Sequence, residues 1–314
     1  MINWGFLGAG WIARTALAPA VHSASNANLY AVASQDPSRS ESLGPQKIYE
    51  RYEDLLADPH IDAIYINLAN HQHYQWSVAA LAAGKHVLCE KPLALNYSEA
   101  KMMADAAKEH NRLLVEALWN QWHPRFVRIV ELIHGGDIGA LHVINSSFCF
   151  PAQLDNNYRL EPTMGGGSLL DVGVYQAHLW PALIHGEPEL HIQSLTQNIG
   201  PTGVDLTTRL SAALGDGPQV NALSSFEMPE MQKLLISGEL GEIESLGNDA
   251  FTSFKKPSSL RIGDHIEQFA PVDPYCLMIE NFSHHIVGHD AWSPSIEKSL
   301  YVAKLLDQMK VYKK

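Results

Sequence analysis

Through the first third of the chain, short apolar runs alternate with amphipathic stretches. The runs at 2–7, 29–34, 61–68, 86–89 and 113–116 are rich in apolar residues, as strands covered on both faces should be. Between them, 75–83 and 98–111 repeat apolar residues at three- and four-residue steps, which predicts helices. Strands alternating with helices imply a parallel sheet with right-handed crossovers, a doubly wound α/β arrangement. After about residue 120 the texture changes. The segments 141–150, 189–197, 207–214, 220–226 and 233–236 read as strands with few helices between them, which predicts a second, α+β region with a mostly antiparallel sheet. The chain closes on an amphipathic helix over 294–311, with Ile296, Leu300, Ala303, Leu306 and Met309 on its apolar side.

Composition narrows the class. With 314 residues and 46% hydrophobic content, the chain can fill two cores of ordinary size. Its 22 basic and 34 acidic side chains give a formal charge of −12, which argues against nucleic acid or an anionic membrane as the main partner. No apolar stretch approaches the roughly 18 residues of a spanning helix, and the N-terminus starts a strand instead of an export signal, so a cytoplasmic location is expected. Cys89, Cys149 and Cys276 are odd in number and widely spaced, which predicts reduced thiols.

The first strand leads into Gly8-Ala9-Gly10-Trp11-Ile12-Ala13. Gly8 permits a tight turn, Gly10 lets the backbone approach a pyrophosphate, and Ala13 stands where a small residue packs helix on strand. Trp11 and Ile12 open the following helix, whose amides would hold phosphates. This is the signature of a Rossmann dinucleotide-binding domain. The second strand ends at Ser34 with Asp36 and Arg39 beyond it. A hydroxyl and a guanidinium suit the 2′-phosphate of NADP, whereas Asp36 turned inward would favour NAD.

Further motifs carry a resemblance. Asn70-His71-Gln72-His73 follows the strand at 61–68, Gly84-Lys85-His86-Val87-Leu88-Cys89-Glu90-Lys91-Pro92 follows the next helix, and Gly165-Gly166-Gly167 precedes Ser168-Leu169-Leu170-Asp171-Val172-Gly173-Val174-Tyr175. With the glycine turn, these motifs resemble the Gfo/Idh/MocA oxidoreductases over nearly the whole chain. Tyrosine at 175, with Asn157-Tyr158-Arg159 and Asp273-Pro274-Tyr275, is similar to the branch holding NADP-dependent xylose dehydrogenases, dimeric dihydrodiol dehydrogenases and glucose–fructose oxidoreductase. The resemblance implies a Rossmann domain at 1–119 and an α+β domain at 120–314 for substrate binding and oligomerisation. The latter would carry a large, mostly antiparallel open-faced sheet, with 294–311 able to pack back on the first domain. It implies Lys91 beside the nicotinamide, with Leu68, Asn70, His73 and Glu90 among the cofactor contacts.

Asp171 and Tyr175 are implied to project from one helix into the same cleft, and residues four apart do share a helix face. Three preceding glycines would allow close approach to a ligand. Oxidation of an alcohol needs a base as hydride leaves carbon, and carbonyl reduction needs the same group as acid. Tyr175 fits that role if a cationic Lys91 stabilises its phenolate, lowering a pKa that starts near about 10. Asp171 would orient substrate or Lys91. Trp119, Gln121, Arg159 and His178 are the candidate substrate contacts. Two departures stand out: Leu68-Ala69 replaces the Thr-Pro of many relatives, and Gln121 stands where the branch commonly has arginine. His71, His73, His284, His285 and His289 lack a companion cluster at ligand spacing, so no metal is expected.

The expected function is NADP-dependent hydride transfer, with NAD as the alternative cofactor, at a CH–OH or carbonyl carbon of a sugar, polyol or dihydrodiol-like molecule. A non-catalytic NADP-binding sensor and an NAD-dependent glycosidase are the alternatives. A homodimer or homotetramer is expected through the open sheet face, on the premise that this face is apolar.

Overall fold

The computed structural model describes residues 1–152 and 157–312. The chain divides into two compact units. One comprises Met1–Trp122 with Asp273–Leu300, the other His123–Val272 with the segment from Tyr301 onward.

In the first unit, β1 (Ile2–Leu7), β2 (Ala27–Ala33), β3 (Lys47–Tyr49), β4 (Ala63–Ile66), β5 (His86–Cys89) and β6 (Leu114–Glu116) form a parallel sheet in the order β3-β2-β1-β4-β5-β6. Helices α1 (Ala18–Ser23), α2 (Pro37–Glu41), α3 (Tyr52–Leu56), α4 (His73–Ala82) and α5 (Tyr97–Glu109) connect them. Phe6, Leu7, Val32, Ile64, Tyr65, Ile66, Val87 and Leu88 are fully buried, which explains the continuous apolar runs. The strand β3, absent from the sequence reading, is a three-residue edge strand with little apolar patterning. The chain order reverses between β1 and β4, and there the loops from two adjacent carboxyl ends diverge. Such a crevice is where open α/β sheets bind ligands.

In the second unit, α6 (Pro124–Gly135) precedes β7 (Leu141–Cys149), and α7 (Val174–Leu183) precedes β8 (Leu190–Ile199). Then follow β9 (Asp205–Leu214), β10 (Gln219–Ser225), β11 (Met231–Gly238), β12 (Glu242–Leu246), β13 (Ser258–Ile262) and β14 (His265–Phe269). The eight strands run in the order β14-β13-β12-β11-β7-β10-β9-β8, antiparallel except for the β7–β10 pair. One face buries Ile144, Leu210, Ala212, Val220, Leu234, Ile236, Ile243 and Leu260. The other face is less apolar than expected: Asn145, Ser147, Arg209, Asn221, Lys233 and Glu244 join Leu223 and Leu235 in lining a hollow of about 470 Å³. Strand alternation puts these polar residues between the core-facing ones.

Two helices complete the chain, α8 (Pro274–Ile286) and α9 (Ile296–Val311). Asp273 caps α8 by accepting from the amides of Tyr275 and Cys276, both at 3.1 Å. Its buried face, with Met278, Ile279 and Phe282, draws this late segment into the first unit. There Phe282 packs on Trp4 at 5.1 Å, while the Trp4 indole donates to Ser283 Oγ at 3.2 Å. In the second unit, Tyr301 donates to the Pro188 carbonyl and Gln308 to that of Leu190. No helix among the described residues is long and apolar enough to cross a membrane.

Candidate active site

The glycine loop leaves β1 beside the exit of β4. Gly8 adopts φ +94°, and a Cβ there would lie 2.3 Å from the Asn67 carbonyl oxygen. The Gly8 amide donates to the Ala33 carbonyl and the Asn67 amide to that of Leu7, tying the loop to both neighbouring strands. With its side-chain oxygen turned inward, Asn67 accepts from the Gly10 amide at 3.2 Å and the Ala13 amide at 3.3 Å. The glycines thus admit a protein neighbour, the β4 loop, and their own amides donate to Ala33 and Asn67. Trp11 begins the helix and is 70% exposed. That helix widens to π geometry over Ala13–Leu17 before continuing as α1, and its first amides are the ones a phosphate would use. The strand order, the positive-φ glycine and the helix start fit a dinucleotide.

At the exit of β2, Ser34 is buried and its hydroxyl donates to the Asp36 carbonyl at 2.6 Å while meeting Ser40 Oγ at 2.9 Å. Ser34 therefore shapes the turn from within. Asp36 caps α2 through Ser38 and pairs with Arg39, Nε to Oδ2 at 3.3 Å. Its carboxyl lies below the ordinary value, chiefly through the Ser38 hydroxyl. Arg39 is largely exposed, so this pair can exchange for another anion.

The Glu90-Lys91-Pro92 turn leaves β5 with a cis bond between Lys91 and Pro92. Neighbours of the same unit hold it from several sides. The buried Tyr65 hydroxyl on β4 donates to Glu90 Oε1 at 2.5 Å, the Glu90 amide donates to the Ile66 carbonyl, and the Leu93 amide donates to Glu116 Oε1 at 2.9 Å. His73, expected beside the cofactor, is wholly buried, with Nδ1 2.8 Å from the Pro92 carbonyl and Nε2 3.1 Å from the Leu68 carbonyl. Burial lowers its pKa, while the two carbonyls oppose that shift, and the ring lies between the turn and the β4 exit. Asn70 is buried at the start of the short 3₁₀ turn before α4. Trp119 and Gln121 are buried too, and the Trp119 ring stacks on Tyr275 at 4.6 Å and 20°.

In the second unit the glycine triplet serves protein packing more than ligand approach. A Cβ on Gly166 would lie 2.5 Å from the Arg159 carbonyl oxygen, and one on Gly167, at φ +110°, would lie 2.1 Å from Asp205 Oδ1. This close packing brings the Arg159 guanidinium onto the helix it precedes: Nε donates to Asp171 Oδ2 at 2.7 Å. Burial opposes the charge on Arg159, but the Asp171 carboxylate outweighs it and holds Arg159 above its ordinary pKa. The guanidinium also lies over the Tyr158 ring at 4.9 Å. Arg159 and Asp171, expected as separate substrate and catalytic contacts, form one ion pair.

Asp171 belongs to a π-helical stretch, Leu169–Gly173, that runs directly into α7 with Tyr175 one residue inside it. The Tyr175 ring is buried against Phe148 at 5.4 Å and Phe251 at 6.5 Å, and those two phenyl rings stack at 5.9 Å and 7°. Behind them, buried Arg125 donates to the carbonyls of Asp249 and Ala250 and fixes the loop that carries Phe251. His178 is buried further along α7.

Sequence reasoning did not single out Asn67, Tyr65, Glu116 or Asp205. Asn67 alone gave a signal, as a polar residue closing an apolar strand run.

Comparison with known proteins agrees with this architecture. Residues 2–117 match the family model described as an oxidoreductase family with an NAD-binding Rossmann fold, and residues 126–244 match a GFO/IDH/MocA C-terminal domain. A D-xylose 1-dehydrogenase (NADP⁺) of Haloferax volcanii is 33% identical, with 97% of this chain and 95% of that protein covered. Mouse trans-1,2-dihydrobenzene-1,2-diol dehydrogenase is also 33% identical, over 66% of this chain and 63% of its own. Among solved structures, a 3-ketoreductase from Actinomadura kijaniata, crystallised with NADP and TDP-benzene, superposes with a TM-score of 0.89 at 26% identity, covering 98% of this chain and 96% of that one.

Proposed function

This chain belongs to the Gfo/Idh/MocA oxidoreductase family and is an NAD(P)-dependent oxidoreductase; from that premise we propose that it uses NADP to exchange hydride with a hydroxyl or carbonyl carbon of a sugar-like small molecule. The relatives' names describe a sugar dehydrogenase, a dihydrodiol dehydrogenase and a ketoreductase, which supports that substrate class. The loop Gly8–Gly10 and the helix start at Trp11 and Ile12 would hold the pyrophosphate, Arg39 the 2′-phosphate, and the Leu68, Asn70 and Glu90–Lys91 region the nicotinamide end. When bound, the nicotinamide supplies the hydride acceptor or donor.

Tyr175 carries the proton to or from the reacting oxygen, and Lys91 favours the phenolate and polarises that oxygen. The observation that carries this assignment is the Arg159–Asp171 ion pair. A carboxylate held by a guanidinium stays ionised and is a weak base, which supports giving the proton to the phenol on the same helical run. Asp171, with Arg159, then orients the helix face and the substrate. Trp119, Gln121 and His178 are proposed to shape the substrate side, and with Gln121 in place of the branch's arginine the pocket offers one cation fewer. A homodimer or homotetramer is the proposed assembly on the family resemblance, the open sheet face being less apolar than that expectation assumed, and light scattering at micromolar concentration reads it.

The test begins with a screen of sugars, polyols and dihydrodiols followed by NADPH absorbance. On the best substrate, Lys91→Met and Tyr175→Phe should each lose about 10²- to 10⁴-fold in turnover, with NADP affinity by fluorescence titration near the parent's. The solved ketoreductase has been studied with one tyrosine changed to phenylalanine and one lysine changed to alanine or glutamate, the same two residue types. Tyr175→Phe turning over at the parent rate would overturn the assignment.

A further inference from the structure

We propose that Asp205 is the positioning residue for the helical run that carries Asp171 and Tyr175, setting where that run begins against the sheet. The inference rests on the roles proposed above for Tyr175 and Asp171. Asp205 is the first residue of β9, and a single oxygen, Oδ2, accepts three hydrogen bonds: from Ser168 Oγ at 2.8 Å, from the Leu169 amide at 2.8 Å and from Thr208 Oγ1 at 2.7 Å. With its proton given to Asp205, Ser168 Oγ can accept from Ser224 Oγ at 3.3 Å, so the same point is anchored to β10.

The source of the cap separates this arrangement from an ordinary helix start. The first amides of a helix have no partner within it, and the residue just before usually bends its side chain back to accept one. Here Ser168 already has helical dihedrals, and the residue before it, Gly167, has no side chain to bend back. The Ser168 hydroxyl donates to Asp205, and the Leu169 amide is capped by a carboxylate 36 residues further along the chain. The helix start is therefore registered to the sheet rather than to its own loop.

The preceding backbone confirms the clamp. Gly167 leaves no room for a side chain beside Asp205 Oδ1, and its amide donates to the Arg159 carbonyl at 3.0 Å. Asp205 thus grips the helix start at Ser168 and Leu169, while the Arg159 segment grips the residue before it and pairs with Asp171. Burial raises the Asp205 carboxyl above its ordinary value, with the Thr208 and Ser168 hydroxyls and the Leu169 amide opposing the rise. A carboxylate at a helix start is further favoured by the dipole. None of these contacts reaches a reacting atom, so Asp205 acts through Asp171 and Tyr175.

The test compares Asp205→Ala and Asp205→Asn with the parent and with Tyr175→Phe, each rate normalised to the fraction that binds NADP in a fluorescence titration. All three bonds fall on one oxygen, so Asp205→Asn keeps the acceptor and should stay within about threefold of the parent kcat, whereas Asp205→Ala should lose about 10- to 100-fold with the KM for NADP unchanged, as expected for a displacement near 1 Å. Rescue by asparagine is the mark of positioning. If Asp205→Ala binds NADP and turns over at the parent rate, with only its melting temperature reduced, Asp205 is structural and the proposal fails. It fails equally if Asp205→Asn is as impaired as Asp205→Ala. Should Asp205→Ala not fold, Ser168→Ala removes one donor while sparing the Leu169 amide. A several-fold loss of kcat at unchanged KM then supports the proposal, and parent turnover overturns it. An active Tyr175→Phe would instead discredit the tyrosine assignment and leave the Asp205 comparison readable by itself.

Discussion

Arg159 Nε stands 2.7 Å from Asp171 Oδ2, and the carboxylate in this pair is the more deeply buried partner, with 7% of its side chain exposed against 29% for the arginine. Asp171 is consequently the member that suffers when the pair is broken. Arg159→Ala should lower stability by about 1–3 kcal/mol, the loss typical of removing one member of a buried ion pair reduced for the exposed arginine side. Adding Asp171→Asn should restore part of the loss. Thermal melts of the parent, both single variants and the double variant check this as a double-mutant cycle, and strict additivity would refute the coupling.

The role proposed for Arg39 in cofactor choice involves a different pair. Arg39 lies 3.3 Å from Asp36 on an exposed turn, so in that role a 2′-phosphate and Asp36 would compete for one guanidinium. Arg39→Ala should reduce the preference for NADP over NAD by about tenfold, as loss of a charge-assisted contact implies. Asp36→Ala should raise that preference by releasing Arg39. The ratio of KM values for the two cofactors measures both, and an unchanged ratio in both variants would remove Arg39 from the site.

Acid sensitivity should come partly from two histidines. His86 Nδ1 accepts the Leu113 amide and His123 Nδ1 accepts the Arg125 amide, each at 3.0 Å, which only an unprotonated nitrogen can do. Burial, helped by Arg112 and Arg125 respectively, lowers each from 6.5 to about 4. Because the folded values lie below the unfolded ones, the stabilisation is complete above pH 6.5 and is lost as pH falls from there through about 4. Replacing both by asparagine, which can accept the same amides without titrating, should flatten the melting temperature across that window. A double variant with the parent's acid slope would contradict this.

Gly167 offers a steric test of the second-unit clamp. At φ +110°, with a Cβ only 2.1 Å from Asp205 Oδ1, Gly167→Ala meets both backbone strain and a collision with a buried carboxylate. A destabilisation above about 2 kcal/mol is expected. Gly136→Ala at φ +79° has nothing within 4 Å and should bear the backbone cost alone, about 1 kcal/mol. Urea unfolding of the two variants separates the terms.

The sequence by itself determined the alternating architecture of the first unit, because strands covered on both faces must be nearly all apolar and the helices between them must show one apolar side. The glycine turn singled out Gly8, and the family resemblance singled out Lys91, Asp171 and Tyr175 as candidates. The strands β12, β13 and β14 escaped the sequence reading because they are short and strongly polar on one face. Pairings between distant residues were equally hidden. Nothing in the local pattern says that Arg159 pairs with Asp171, that His73 lies between two carbonyls, or that residues from 273 to 300 cluster with the first unit. Only tertiary structure decides such matters, since an ion pair, a buried cap or an aromatic stack depends on distances of a few ångströms between segments whose separation along the chain carries no information about their separation in space.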